Sequence, residues 1–432
     1  MDILKQLKPL AEQVEVVSLR SEATTVEFEA NKLKTSKVEE TRGLAVRVVR
    51  NGRLGFAASS NAEAVDKLAA NALESAAYGD AVPIRFPPAQ PAASVRTYDP
   101  TIVALPIPRL VEIGSQILGE ILEVEPEARV NISLERGENH LTVCNHTGAE
   151  ALVRRSPFSI GVEVNRIQGD DIVILFEMSG VTLWQDDYLA FVRQIKEKLV
   201  RLRQITALKS GKMPVLFSPC GALVLGLPLM EGINGKNVYT GISPMQGKLG
   251  EQLFDEKISL VDDATLDGRY SSAAFDDEGV PHRRNLVIAK GKLNLFLYDL
   301  KTAAQSGCES TGNGARSLFN PPEPSPTNLI VERGDTPLKD ILAGIEQGLL
   351  VEDVLGLGQG NIISGAFSNP LNLAYKIEKG EIVGRVKNAS IAGNVYELLK
   401  DVSAVSQEQQ WVYNSFCLPY ILLPEMNVVA KE

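Results

Sequence analysis

The order of apolar and polar positions divides the chain into a half that mixes helices with strands and a half dominated by strands. Residues 2–14 carry apolar positions at helical spacing and predict a first helix. Residues 24–30 and 44–50 alternate with strand period, and Asn51-Gly52 supplies a hairpin turn into a strand over 53–57. Ser60 with Glu63 reads as a capping box that opens an Ala- and Leu-rich helix running to Tyr78 and stopping at Gly79. Residues 83–108, rich in Pro, Ala and Ser, predict an extended surface connector, and Pro108 sits well as the first residue of a helix to about residue 122. Strands are expected at 129–134, 140–145, 158–165 and 172–178, followed by an amphipathic helix over 187–208.

Beyond residues 209–212 the pattern changes. Strands are expected at 271–275, 285–289, 292–298 and 329–332, with Lys290-Gly291 as a hairpin turn. Residues 320–326 hold four prolines, which remove four donors and predict an exposed extended segment outside regular structure. A short helix over 337–347 should end at Gly348, and Glu378-Lys379-Gly380-Glu381 should turn a hairpin. Many strands separated by glycine turns suggest a curved sheet or open barrel. The expected class is therefore α+β in two domains: residues 1–210, an antiparallel sheet with helices, and residues 211–432, a strand-rich unit.

Composition narrows the function. At 432 residues two domains are the default. No apolar run of about twenty residues exists, and the first residues lack the apolar stretch of a secretion signal, so the expectation is a cytoplasmic protein without a membrane span. The net charge of −10 argues against nucleic acid as a partner. The basic run Arg193, Lys196, Lys198, Arg201, Arg203 and Lys209 reads instead as the solvated face of the 187–208 helix. Cys144, Cys220, Cys308 and Cys417 are scattered without a Cys-x-x-Cys pair, which predicts buried or half-buried free thiols.

Candidate chemistry concentrates between residues 275 and 316. The acidic run Asp276-Asp277-Glu278 follows a predicted strand and precedes Gly279. Such carboxylates could bind a hard cation or place a general base, or they could cap backbone amides and pair with Arg283 and Arg284. The loop Thr311-Gly312-Asn313-Gly314, ending in Arg316, has amides that could cradle an anion or a peptide carboxylate, but it lacks the ending of a phosphate loop. Asp262-Asp263 reads as turn chemistry, and Gly356-Leu357-Gly358-Gln359-Gly360 as a sharp turn rather than a dinucleotide fingerprint. His140, Cys144 and His146 share strand parity, though the turn at 145–148 interrupts it before a metal site is assembled.

Several of these motifs, in this order, resemble the TldD/PmbA family, named for modulation of DNA gyrase and including zinc-dependent peptidases. The resemblance rests on the two clusters above, on Arg42-Gly43-Leu44 with Asn51-Gly52-Arg53, on Ser364-Gly365-Ala366-Phe367-Ser368, and on Ile391-Ala392-Gly393-Asn394. The catalytic branch carries a His-Glu-x-x-x-His helix upstream of the acidic run. Here the matching stretch, residues 215–226, contains neither histidine nor carboxylate. The chain thus resembles the PmbA (TldE-like) branch. That resemblance implies no cofactor bound by this chain, with zinc expected in a TldD-like partner. It further implies a heterodimer with that partner, or a homodimer, acting on unfolded or leader peptides. Asp276, Asp277, Glu278, Thr311, Gly312, Asn313, Gly314 and Arg316 become candidates for peptide or partner binding. The alternatives are an autonomous metal-dependent hydrolase using residues 276–278 and a regulatory protein that contacts gyrase.

Overall fold

The computed structural model describes residues 2–61, 65–169 and 171–430. Its first sheet has seven strands: β1 (Gln13–Glu29), β2 (Lys32–Arg50), β3 (Arg53–Ser59), β4 (Arg129–Asn145), β5 (Glu150–Arg155), β6 (Phe158–Gln168) and β7 (Asp171–Val181). They lie in the order β3-β2-β1-β4-β6-β7, with β5 on β4, and every pairing is antiparallel. The first helix, α1 (Asp2–Leu7), is shorter than the spacing predicts. Pro9 cannot continue a helix, and the β-branched run from Val14 belongs to β1 instead. β1 and β2 form one long hairpin, and the first half of β2 is mostly polar and exposed, so its extent escapes a search for apolar alternation. The proposed Ser60–Glu63 cap falls partly on residues 62–64, outside the described residues. The helix it was meant to open is α2 (Val65–Ser75).

Strand parity sorts this sheet into two faces. Even positions Val14, Val16, Val46 and Val48 pack on Ile3 and Leu7 of α1 and Leu68 and Ala72 of α2. The short α3 (Pro100–Val103), capped by Asp99, precedes α4 (Ile107–Val124), and α5 (Ala190–Arg201) follows β7. Ile113 and Ile117 of α4 and Ile195 of α5 cover Val26, Phe28, Ile132 and Leu134. The odd positions Glu15, Val17, Ala45, Arg47, Val143 and Val153 form the other face, which the second half of the chain covers.

The second sheet joins β8 (Ile205–Thr206), β9 (Gly211–Phe217), β10 (Leu260–Asp263), β11 (Arg284–Ala289) and β12 (Lys292–Leu293) to strands from the last third. A separate pair is made by β13 (Gly314–Ala315) and β14 (Glu323–Pro324). The remainder are β15 (Leu329–Val331), β16 (Gln347–Val354), β17 (Ala366–Glu378), β18 (Glu381–Val386), β19 (Ala389–Asn394), β20 (Ala404–Val412) and β21 (Phe416–Ala430). Five of them, β9-β16-β17-β19-β21, pair around a circle and close a barrel, from which the rest of the sheet curls away. Val215, Phe217, Leu349, Val351, Ala374, Ile391 and Leu423, one or two from each barrel strand and at most 1% exposed, join one core. Their alternates Leu216, Leu350, Leu373 and Tyr375 join the core beneath α4 and α5, so the halves share apolar packing. The class is α+β as expected, with a closed barrel inside the curved sheet.

Several expectations need correction. Residues 129–134 and 140–145 are one strand, because the polar segment 135–139 keeps pairing with β1 and β6. Residues 271–275 form no strand; Phe275 only bridges to Pro281, and buried Ser272 accepts from Asn328 Nδ2 instead. The 292–298 strand ends at Leu293. Among the prolines, Pro322 and Pro324 are buried and Glu323–Pro324 pairs as a strand, so this segment is neither wholly exposed nor irregular. The helix expected at 337–347 stops at Gly344, and Gly348 lies within β16. Among the described residues no helix is long and apolar enough to cross a membrane.

Candidate functional site

The acidic run and the glycine-bearing loop dock on one another. Asp276 Oδ1 accepts from the amides of Glu278 and Val280, each at 2.9 Å, and its Oδ2 accepts from the Gly314 amide at 2.9 Å. Asp277 Oδ2 takes the Arg316 amide at 2.9 Å, while the Asp277 amide donates to Gly314 O. Gly279 turns the chain at φ +74°. Gly314 must be glycine for a different reason: a Cβ there would lie 2.7 Å from Glu278 Cγ. In the same loop Thr311 Oγ1 donates to Asn313 Oδ1 at 2.8 Å, and Asn313 Nδ2 donates to Asp262 Oδ2 at 2.7 Å. Asp262 is therefore a buried strand residue in β10, not a turn residue. Arg283 and Arg284 do not serve the acidic run; they reach Ser310 O and Glu332.

The cation that meets the acidic run comes from the first sheet. Arg47 Nη1 donates to Glu278 Oε1 at 2.6 Å, while its Nε and Nη2 hold Glu15 at 2.8 and 2.6 Å. Arg316 Nη2 reaches the same Glu15 at 2.8 Å. Glu278 Oε2 accepts from the Leu300 amide at 2.7 Å. That amide belongs to the first residue of a helix over Leu300–Ser306. Glu15, Arg47 and Glu278 are all at most 1% exposed, so a fully buried ionic chain joins the two halves. Burial raises the Glu15 carboxyl, but Arg316 and Arg47 together outweigh it and hold it below the usual range. Burial pushes Glu278 upward, because Arg47 gives it one contact only and Asp299 and Glu15 repel it. Asp276 is likewise pushed up by burial and by Glu278.

Glu15 and Arg47 do not stand out in the sequence as a cluster. The available signal was a charge on the odd, otherwise apolar face of β1 and of β2, positions that a solvated strand face does not explain. Of the residues proposed from sequence, Asp276, Asp277, Asn313, Gly314 and Arg316 line a cavity of about 440 Å³ between the first sheet and the loops at 270–282 and 313–327. Glu278, Thr311 and Gly312 lie outside its wall.

The stretch 215–226, where the resemblance places metal chemistry, runs from β9 through Ser218–Ala222 into α6 (Leu223–Gly232). Lys198 of α5 enters this region and is not on the solvated helix face: its Nζ lies 2.7 Å from Glu177 Oε1 and 3.3 Å from Glu352 Oε2. Burial pushes the Cys220 thiol well above its ordinary range despite the nearby ammonium. A single thiol and two carboxylates already bound to a cation do not fit a tetrahedral zinc ion. Among the described residues no group of three or more His, Cys, Asp or Glu is placed to hold a metal. His140 instead contacts Glu138 at 2.9 Å. All four cysteines are free; Cys308 is exposed, contrary to expectation.

A curled sheet closing into a five-stranded barrel, joined through an acidic turn to an antiparallel sheet, defines the class of protein. Residues 210–430 match the PmbA/TldA metallopeptidase C-terminal domain, and residues 14–76 match PmbA/TldA metallopeptidase domain 1. The chain belongs to the PmbA/TldD metallopeptidase family. A metalloprotease TldD homolog of Haemophilus influenzae is 30% identical over 67% of this chain and 56% of its own length, so the chain spans about half of that relative. A metalloprotease of Methanothermobacter thermautotrophicus is 25% identical over 94% of this chain and 90% of its own. TldE from Thermococcus kodakarensis superposes with a TM-score of 0.90 at 24% identity, covering 99% of each chain, which shows a common fold.

Proposed function

We propose that this chain is a non-catalytic, TldE-like subunit of a cytoplasmic peptidase complex. It pairs with a zinc-bearing TldD-like chain, or with a second copy of itself, in an assembly that degrades unfolded or leader peptides. The observation that carries the reading is Lys198: an ammonium held by Glu177 and Glu352 occupies the neighbourhood of residues 215–226, where a catalytic member presents its metal-binding helix. A resident cation fixed by the chain itself leaves those carboxylates nothing to offer a second one. An apolar stripe on β7 is of the kind a partner chain covers: Ile172, Ile174 and Phe176 are 60%, 40% and 37% exposed at alternate positions.

The test is metal analysis and peptide turnover of the isolated chain, and of its mixture with a His-Glu-x-x-x-His homologue from the same genome. The isolated chain should hold no stoichiometric zinc or manganese and should be inactive, while the mixture forms a complex that cleaves peptide. A tightly held metal with turnover by this chain alone would overturn the reading.

A further inference from the structure

The cavity between the first sheet and the acidic turn contains cationic groups whose donors the fold leaves unused. The Arg316 side chain is 3% exposed, and only its Nη2 is engaged, by Glu15. Its Nε and Nη1 are buried without a hydrogen-bond partner among the described residues. Arg155, the last residue of β5, shares the face of Ala151 and Val153 by strand parity and lines the same cavity; its Nε is also buried and unpartnered. Buried N–H groups left unsatisfied call for an explanation, since nearly all such groups in folded proteins have partners. The carboxylates nearby hydrogen-bond elsewhere: Glu15 to Arg47 and Arg316, Asp276 to three backbone amides, and Asp277, whose charge Arg155 feels across the cavity, through Oδ2 to the Arg316 amide.

Val17, Leu19, Leu141, Val153 and Phe275 give the wall a continuous apolar part, and neutral polar groups such as Ser21, Asn139 and Tyr270 line the remainder. Its volume of about 440 Å³ falls in the range of roughly 300–1,000 Å³ typical of small-molecule pockets. We propose that this cavity binds a small organic monocarboxylate with an apolar body, its carboxylate received by the free N–H groups of Arg155 and Arg316. Asp276 and Asp277 in the same wall repel a dianion more than a monoanion, which disfavours phosphate. The hydrocarbon surface gives the body of the ligand a place that a bare inorganic ion would leave empty. This inference is independent of the pairing proposed above, because it concerns only this chain.

Calorimetric titration of the purified full chain at pH 7 tests it with three probes: N-acetyl-L-leucine, its neutral amide N-acetyl-L-leucinamide, and inorganic phosphate. The acid should bind about 10-fold or more tighter than the amide, as charge-assisted hydrogen bonds dictate, and phosphate should be weaker than the acid. Arg155→Gln should abolish the preference for acid over amide while the ligand-free variant melts no lower than wild type, since it removes a guanidinium whose Nε has no hydrogen-bond partner among the described residues. Failure of the acid to bind at millimolar concentration, equal binding of the amide, or tighter binding of phosphate each overturns the proposal. So does a markedly lower melting temperature of the variant, which would make Arg155 a structural residue.

Discussion

Arg47 Nη1 lies 2.6 Å from Glu278 Oε1, so residues 231 positions apart join the first sheet to the acidic turn where no water reaches. Arg47 grips Glu15 with two donors and Glu278 with one, and Arg316 adds a further donor to Glu15 alone. The two carboxylates therefore differ: Glu15 is held as an anion, whereas burial favours protonation of Glu278.

That asymmetry predicts unequal consequences. Arg47→Met strands Glu15 with one remaining guanidinium and should destabilise the protein by about 3–5 kcal/mol. Glu15→Gln should cost more than Glu278→Gln, because Glu15 receives three guanidinium donors and Glu278 only one. Urea unfolding of the three variants at pH 7 measures the order; equal losses for both glutamates would refute the asymmetry.

Gly314→Ala tests the docking of the two clusters. The added methyl would press on Glu278 Cγ and Cδ, 2.7 and 2.8 Å away, and Glu278 is fixed by Arg47 and by the Leu300 amide. Overpacking of this kind costs about 1–3 kcal/mol. Gly119→Ala, on a helix where nothing lies within 4 Å of the new methyl, is the matched control and should be neutral or stabilising.

How much of this was legible in the sequence depends on how local the cause is. Asn51-Gly52, Lys290-Gly291 and Lys379-Gly380 all adopt positive φ at both positions, as their turn chemistry demands. The extents of β2 and β4 were not legible, because exposed or polar residues pair in a ladder as well as apolar ones do. Residues 276–278 and 311–316 stand out as clusters, yet their partners Glu15, Arg47 and Asp262 are joined only by the fold. The place of Lys198 in a basic run points to solvent, and tertiary packing against Glu177 and Glu352 overrides that pattern.

His282 supplies a pH dependence. Burial, with Arg155 adding repulsion, outweighs a hydrogen bond with the Gly312 backbone and depresses its pKa from 6.5 to about 4. As pH falls through this window the unfolded chain takes up a proton before the folded one, so the stability contribution is present above 6.5 and lost toward 4. Asp262, pushed up to about 6 chiefly by burial, acts in the opposite sense, losing stability as pH rises through 6. The difference between wild type and His282→Gln isolates the histidine. Unfolding free energies from pH 7 to 4 should fall less steeply in the variant, and parallel curves would remove His282 as a contributor.

The β7 stripe makes the pairing testable without reference to catalysis. Ile174→Glu places a charge among Ile172 and Phe176 at the centre of the exposed apolar positions. The side chain is already 40% exposed, so the monomer should lose only a fraction of a kcal/mol, as surface substitutions do. Its complex with a His-Glu-x-x-x-His homologue, or with itself, should dissociate on size-exclusion chromatography. An unchanged elution profile with unchanged melting temperature would move the interface elsewhere.

Lys198→Met addresses the substitute for the metal directly. Removing the ammonium leaves Glu177 and Glu352 facing each other in a largely buried space, and breaking such a pair costs about 3–5 kcal/mol. If the lysine stands in for a cation, the variant should also acquire what the wild type lacks: a melting temperature that rises on adding millimolar divalent metal, since two freed carboxylates offer hard oxygen ligands. Adding Glu177→Gln and Glu352→Gln to the variant should recover stability at pH 7 and abolish any response to metal. A Lys198→Met chain that is as stable as wild type and insensitive to metal would mean that the ammonium does not neutralise these carboxylates, and the physical basis for a non-catalytic subunit would fall with it.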